Sequence, residues 1–253
     1  MIKGVNKEFK IFTFRAIDEP EICKEYLNQH LKRLNDYGIN KVTSNNKQWI
    51  NNPFVYCTVA IDNKSKELVG GVRIQIADGK TPLPINSAIG KLKTVINANV
   101  KKQWSKKNVC ESCGLWIAEN AKGMGLSRFL MHASLASASQ LNIDKIIGIC
   151  GKYTLNFFTK IGFEINDSIH KNGDILYSLI NCNCYVLEIN DVKGLSTALK
   201  EDKKVMLSLR RNPITNKLEF NKSHKIYIQY DLTYDNITKV DSISENSIEK
   251  VII

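Results

Sequence analysis

Two features within Val109–Phe163 have the residue types and spacing to do chemistry. The first is Gly123-Met124-Gly125, set between an apolar run ending Leu115-Trp116-Ile117-Ala118 and the periodic run Phe129-Leu130-Met131-His132-Ala133-Ser134-Leu135-Ala136. Glycines at this spacing let the backbone turn tightly and bring its amides close to a ligand. The first N–H groups of the following helix have no internal partner and carry the positive end of its dipole. Lys122, Gly123, Met124, Gly125, Leu126 and Ser127 are therefore a candidate phosphate site built from backbone. Taken alone, Gly-x-Gly before a helix is equally the mark of an ordinary strand-to-helix turn. The second feature is Glu111, the one carboxylate in the run 109–118. A partly desolvated carboxylate there has a raised pKa and can take a proton from an ammonium group, directly or through water. The alternative is a surface-facing or ion-paired glutamate.

The elements that must position these groups read strand, turn, helix, strand, helix. Residues 109–118 alternate bulky and small side chains, as a half-buried strand does, and Lys145–Gly151 is a short apolar run suited to a buried one. Tyr153–Lys160 is a short helix ended by Gly162. Upstream, Phe9–Ala16 is a first strand. Pro20 opens a helix to about Asp36, with Ile22, Tyr26, Leu27, His30, Leu31 and Leu34 on one face. His30 on that stripe is expected as a packed histidine. Phe54–Ile61 and Glu67–Ile76 form a hairpin, and the polar stretch 41–52, anchored by Trp49, is expected as a loop or short helix over the acceptor side. Residues 81–88 are expected to be extended, because proline restricts itself and the residue before it. A helix from Ser87 to about Asn97 and a basic run, 101–107, follow.

The run Asn120-Ala-Lys-Gly-Met-Gly-Leu-Ser127, thirty residues before Phe157-Phe-Thr-Lys-Ile-Gly-Phe163, resembles the acyl-CoA-binding core of the GNAT superfamily of N-acetyltransferases. There the turn reads Arg/Gln-x-x-Gly-x-Gly/Ala and the later helix ends Tyr-x-Lys-x-Gly-Phe. The resemblance implies an α/β (α+β) fold, a mixed, mostly antiparallel sheet flanked by helices. It implies acyl-CoA as a co-substrate rather than a permanently bound cofactor, and a small-molecule amine or amino acid as acceptor. It places the donor along the backbone of Leu115, Trp116 and Ile117, on the turn 122–127, and against Asn156 and Phe158. Two positions depart from the family. Asn120 stands where Arg or Gln is usual. Phe158 stands where many members carry the tyrosine that protonates the leaving thiolate, so that role is either absent or moved to Tyr153. Glu111 takes the place of the base.

A second likeness is narrower. Arg73 on its strand, followed by Pro82-Leu83-Pro84, resembles the acyl-homoserine-lactone synthases and long-chain N-acyl amino acid synthases, which use acyl carrier protein donors. It implies a substrate-binding role for Arg73 and an acyl carrier protein as a possible partner.

Composition narrows the classes. The net charge of +11 implies anionic partners: coenzyme A phosphates, an acidic carrier protein or nucleic acid. Nucleic acid is the weakest of these, because the lysines are dispersed and no Arg-rich or aromatic-interleaved tract occurs. With no apolar run of about 18 residues and no signal-like start, the expectation is a cytoplasmic protein without a membrane span. Seven cysteines, an odd number, fit reduced thiols, and no metal site is expected: Cys110 and Cys113 on a strand would point to opposite faces. Residues 1–190 are expected as the acyltransferase domain. Residues 191–253 are expected as a partly ordered extension, with a helix capped by Asp191 through about Lys200 and apolar segments beyond it. The function implied is N-acyl transfer from acyl-CoA or acyl carrier protein to an amine. The alternative is a lapsed member that only binds an acyl-thioester or a protein partner.

Overall fold

The computed structural model of the chain describes residues 7–39, 46–91, 102, 104–106, 108–170, 175–177, 182–221 and 224–234. Its strands are β1 (Lys7–Arg15), β2 (Val55–Asp62), β3 (Leu68–Ile76), β4 (Val109–Ile117), β5 (Lys145–Gly151), β6 (Glu164–Ile165), β7 (Ile175–Tyr177), β8 (Cys182–Ile189), β9 (Ile214–Asn221) and β10 (His224–Asp231). Its helices are α1 (Pro20–Asp36), α2 (Pro84–Lys91), α3 (Leu126–Ser137), α4 (Leu155–Lys160), α5 (Asp167–His170) and α6 (Lys200–Arg211). The strands join in one mixed sheet of order β6-β8-β5-β4-β3-β2-β1-β10-β9, with β7 paired to β8. Pairing is antiparallel except between β1 and β10 and between β4 and β5. The fold is the mixed, largely antiparallel sheet flanked by helices that the resemblance implies.

Helices cover both faces. On one, α3 is buried along nearly its whole length and packs with Met206 and Leu209 of α6 over Phe9, Val72, Ile74, Ile146 and Ile228 of the sheet. An all-round apolar helix such as Phe129–Ala136 is stable only where it is enclosed, and here sheet and α6 enclose it. On the other face, α1 buries Cys23, Tyr26, Leu27 and His30 against Val55, Cys57, Val59 and Trp116, with Trp49 and Ile50 from the turn Gln48–Asn51. Next to it, Leu83, Ile85 and Ala88 join Trp104 over Val109, Ile147 and Val186.

Two elements differ from expectation. Pro84 opens α2 rather than continuing an extended segment, since the proline ring suits a first helical turn whose N–H would be unsatisfied anyway. The helix expected from Asp191 is instead a turn: the Asp191 carboxylate accepts the Gly194 N–H at 2.7 Å, and buried Leu195 takes a left-handed φ of 49° that ends any helix there. The helix falls later, as α6. The segments 92–101 and 235–253, the latter including the C-terminal stretch from Ser242, lie outside the described residues.

After Asn190 the chain continues the same sheet. β10 lies parallel to β1, and α6 is tied to α3 by Asp202. Asp202 is wholly buried and meets His132 Nε2 at 2.5 Å and Arg128 Nε at 2.7 Å. Burial pushes its carboxyl up, but the hydrogen bonds from His132 and Arg128 together outweigh burial and hold it below its ordinary value. A depressed carboxyl contributes stability that is present above its unfolded pKa and lost as pH falls through its folded one. Asp202→Asn is therefore expected to flatten the acid limb of stability below the ordinary value of 3.8. Urea unfolding of variant and parent across pH 2–6 measures it; superimposable acid limbs would assign the pH dependence to other carboxylates.

Candidate active site

The site begins where β4 and β5 part. They pair only at Val109–Glu111 with Lys145–Ile147, and from Gly148 onward β5 pairs with β8. Gly148 allows the close approach at the fork: a Cβ there would lie 3.1 Å from the Ser112 carbonyl oxygen. Beyond it, β4 runs on to Ile117 paired to β3 alone. Backbone groups on a strand alternate sides. Ala118 gives its N–H to Val69 O of the β3 side at 2.8 Å, so Trp116 also turns to β3, leaving the backbone groups of Leu115 and Ile117 toward the gap. The Ser112 carbonyl faces β5, which requires the parity to reverse between Ser112 and Trp116. A β-bulge does this. Gly71 pairs with Trp116 and Arg73 with Cys113, so three steps on β4 match two on β3, and Gly114 takes a left-handed φ of 69°. Of the three candidate donor-binding residues, Leu115 and Ile117 thus have backbone directed to the gap. The Trp116 ring lies on the α1 face against Tyr26.

At the open end of β4 the chain makes the glycine turn. Glu119–Ala121 is a single 3₁₀ turn, Gly123 and Gly125 have φ of 79° and 76°, and Gly125 caps α3. The first intrahelical bonds run from Arg128 and Phe129 to Gly125 O, so the amides of Leu126 and Ser127 precede the helical ladder. Met124 and Leu126 put their side chains into the core, leaving backbone as what they can offer a ligand. Lys122 is exposed, 3.5 Å from Glu119, and Arg33 of α1 bonds the same Glu119 at 2.7 Å. Asn120 is exposed. Asn221, at the end of β9, donates to Gly123 O at 2.8 Å, and a Cβ on Gly125 would lie 2.9 Å from its Cγ. No sequence signal marks Asn221, because ninety-eight residues separate it from its partner.

Glu111 and Arg73 lie on the α1–α2 face of the sheet. Glu111 is buried, and its Oε2 accepts the Ile85 N–H at 2.7 Å. Burial raises its carboxyl to about 8, against smaller lowering effects from that N–H and from Arg73. Arg73 is 1% exposed, and its guanidinium lies 4.6 Å from the centre of the Trp49 ring. Beside it, burial and then Arg73 lower His30 to about 4, so the imidazole is neutral near pH 7. Cys113, opposite Arg73, is raised by burial to about 12 and stays a thiol. Residue type alone does not mark Tyr26, His30 or Gln75 for a site; only their convergence on Arg73 and Glu111 brings them forward.

The remaining expected residues lie around β5 and α4. Tyr153, in the turn after β5, is 76% exposed with its ring over Gly151. Asn156 is exposed on α4. The Phe158 ring meets Phe157 and Phe163 edge-on at 5.1 and 5.6 Å, and packs on the α3 side of the sheet. The fork therefore separates two environments: glycine turn and Phe158 toward α3, Glu111 and Arg73 toward α1.

Residues 20–163, more than half of the chain, match the model of the Acetyltransferase (GNAT) family. The chain belongs to this family. Among curated proteins none matches the sequence. Solved structures share the fold at low identity. FeeM, an N-acyl amino acid synthase from uncultured soil microbes, is 16% identical over 71% of this chain and 97% of its own, with a TM-score of 0.55. BjaI, a CoA-dependent acyl-homoserine lactone synthase, is 12% identical over 88% and 95%, also at 0.55. Escherichia coli ElaA is 9% identical over 72% and 99%, at 0.51. No helix among the described residues is long and apolar enough to cross a membrane.

The buried carboxyl yields a prediction with two opposite signs. Folded Glu111 holds its proton to about pH 8, whereas the unfolded chain releases it near 4.5. Its contribution to stability therefore declines as pH rises between those values. A base at this position would, in contrast, raise turnover through the same range. Glu111→Gln keeps an acceptor for the Ile85 N–H, and is expected to flatten the stability decline between pH 5 and 8. Denaturant unfolding against pH tests this, and an unchanged slope would place the Glu111 titration elsewhere.

Proposed function

We propose that the protein transfers an acyl group from a thioester donor to the amine of a small acceptor. The observation that carries this reading is the fork between β4 and β5, with the glycine turn at its open end and a buried carboxylate at its base. The donor's phosphates lie on the amides of 122–127, and its pantetheine amides bond the exposed edge at Leu115 and Ile117. Glu111 takes a proton from the acceptor's ammonium. The amine lone pair then attacks the thioester carbon, and the carbonyl oxygen gains charge against the Leu115 N–H. The C–N bond forms, the C–S bond breaks, and the second proton of the attacking nitrogen passes to the leaving thiolate, relayed by Tyr153 or by solvent. No permanently bound cofactor takes part; acyl-CoA or acyl carrier protein is a co-substrate.

Two finer features belong to this proposal. The acceptor carries a carboxylate, as an amino acid does, which Arg73 binds at the Trp49 end of the α1 face. The N-acyl amino acid synthase FeeM, which shares the fold, is consistent with such an acceptor. The donor carries a medium or long acyl chain rather than acetyl. Phe158 supplies hydrocarbon in place of a phenol, and Leu115, Ile117 and Phe158 pack against the same apolar cluster. Each buried methylene of the chain would add roughly 0.8 kcal/mol. The net charge of +11 suits an acidic acyl carrier protein, whose attraction would weaken with salt.

Gly125→Glu tests the donor site, because space, left-handed backbone and charge all oppose it. Titration calorimetry is expected to show no binding of coenzyme A thioesters with circular dichroism unchanged; retained affinity would remove this turn from the donor site. A turnover series over acyl length, with coenzyme A and carrier-protein thioesters at two salt concentrations, tests the donor. Rates rising with chain length and falling with salt for the carrier-protein series are expected. Highest activity with acetyl-CoA would leave a plain acetyltransferase, and binding without turnover of any thioester would mark a lapsed enzyme.

A further inference from the structure

The bulge that aims β4 into the fork is held from the opposite face of the sheet by one side chain of α1. Tyr26 is 1% exposed, and its ring meets Trp49 and Trp116 edge-on at 5.6 and 5.9 Å, with His30 at 6.2 Å. Its hydroxyl donates to the Gly114 carbonyl oxygen at 2.5 Å. Two glycines are shaped to this residue. A Cβ on Gly71 of β3 would run into the Tyr26 ring. A Cβ on Gly114 would lie 2.9 Å from the Tyr26 hydroxyl, besides straining a left-handed φ. Burial holds the phenol well above its ordinary pKa, so the group remains a donor throughout the working pH range.

The consequence follows from the peptide bond itself. Gly114 C=O and Leu115 N–H belong to one planar trans unit and point in opposite directions. A hydroxyl that holds the carbonyl therefore fixes the rotation of this peptide unit, and with it the Leu115 N–H that the strand's parity turns to the gap. The regular ladder is interrupted at this point, because at the bulge two residues of β4 oppose one of β3.

We infer that Tyr26 is a positioning residue, which fixes through Gly114 the backbone N–H of Leu115 that receives the thioester oxygen. This rests on the acyl-transfer reading for its catalytic consequence, but not for the hold on the bulge. It also accounts for the Gly71 and Gly114 positions, which donor contacts alone leave unexplained.

Tyr26→Phe keeps the ring over Gly71 and removes only the hydroxyl. Hydrogen exchange followed residue by residue is expected to show the Cys113 and Trp116 amides, which pair with β3 on either side of the bulge, at least about tenfold faster, with α3 amides unchanged. Turnover is expected to fall about tenfold or more while the donor KM stays within about twofold, the pattern of an interaction made in the transition state. A thioether analogue of the donor, which has no carbonyl to polarise, should bind parent and variant alike. Unchanged exchange at Cys113 and Trp116 would overturn the inference, as would equal weakening of the thioether analogue. If the parent turned over no thioester, the acyl-transfer reading would fail, and the exchange measurement would still judge whether Tyr26 holds the bulge.

Discussion

Three residues of parallel pairing, Val109–Glu111 with Lys145–Ile147, join the two halves of the sheet, and everything distinctive about the site depends on the pairing stopping there. A strand edge left open inside a protein is costly, because its N–H and C=O groups lose water without gaining partners. Here the edge lies beside a turn with two left-handed glycines and the N-terminus of a buried helix, whose first amides precede its ladder. Both sets of groups seek acceptors and donors along one path. In the proposed reading, a pantetheine chain carrying amides and a diphosphate at one end would answer that demand.

The fork also lets the two faces of the sheet differ. The α3 side carries the large apolar cluster, with its buried ion pair set between α6 and α3 at Asp202 and His132, whereas the α1 side buries Arg73, Glu111, Gln75 and His30. Buried ionisable groups are expensive unless they neutralise or bond. Each does one or the other: Glu111 holds its proton to about pH 8 and accepts from Ile85, His30 is neutral, and Arg73 lies over an indole. Such an arrangement costs stability, and a carboxyl raised to near neutral pH is the one state of Glu111 useful for moving a proton.

The residues after Asn190 serve the same site from behind. β10 covers the edge of β1, α6 encloses α3, and Asp202 ties α6 to the first two turns of α3 through Arg128 and His132. Asn221 then reaches the glycine turn itself. The glycine turn is braced from α1 through Arg33 and Glu119, and from β9 through Asn221, so its geometry is set by elements far apart in the chain.

The sequence by itself determined the strand, glycine turn, helix and strand between Val109 and Gly151, the burial of α1's stripe and the lone carboxylate of β4. These depend on local periodicity and on backbone freedom at Gly123 and Gly125, which act over a few residues. It did not reveal that Pro84 begins a helix capped onto Glu111, that Leu195 breaks one, or that β9 and β10 extend the sheet while α6 encloses α3. Nor did it reveal why Gly71 and Gly114 are glycines. Those outcomes were decided by tertiary contacts: Ile85 to Glu111 across twenty-six residues, His132 to Asp202 across seventy, Tyr26 to Gly114 across eighty-eight. Such pairs carry no periodic trace in the chain, because each is chosen by which surfaces the closed sheet presses together.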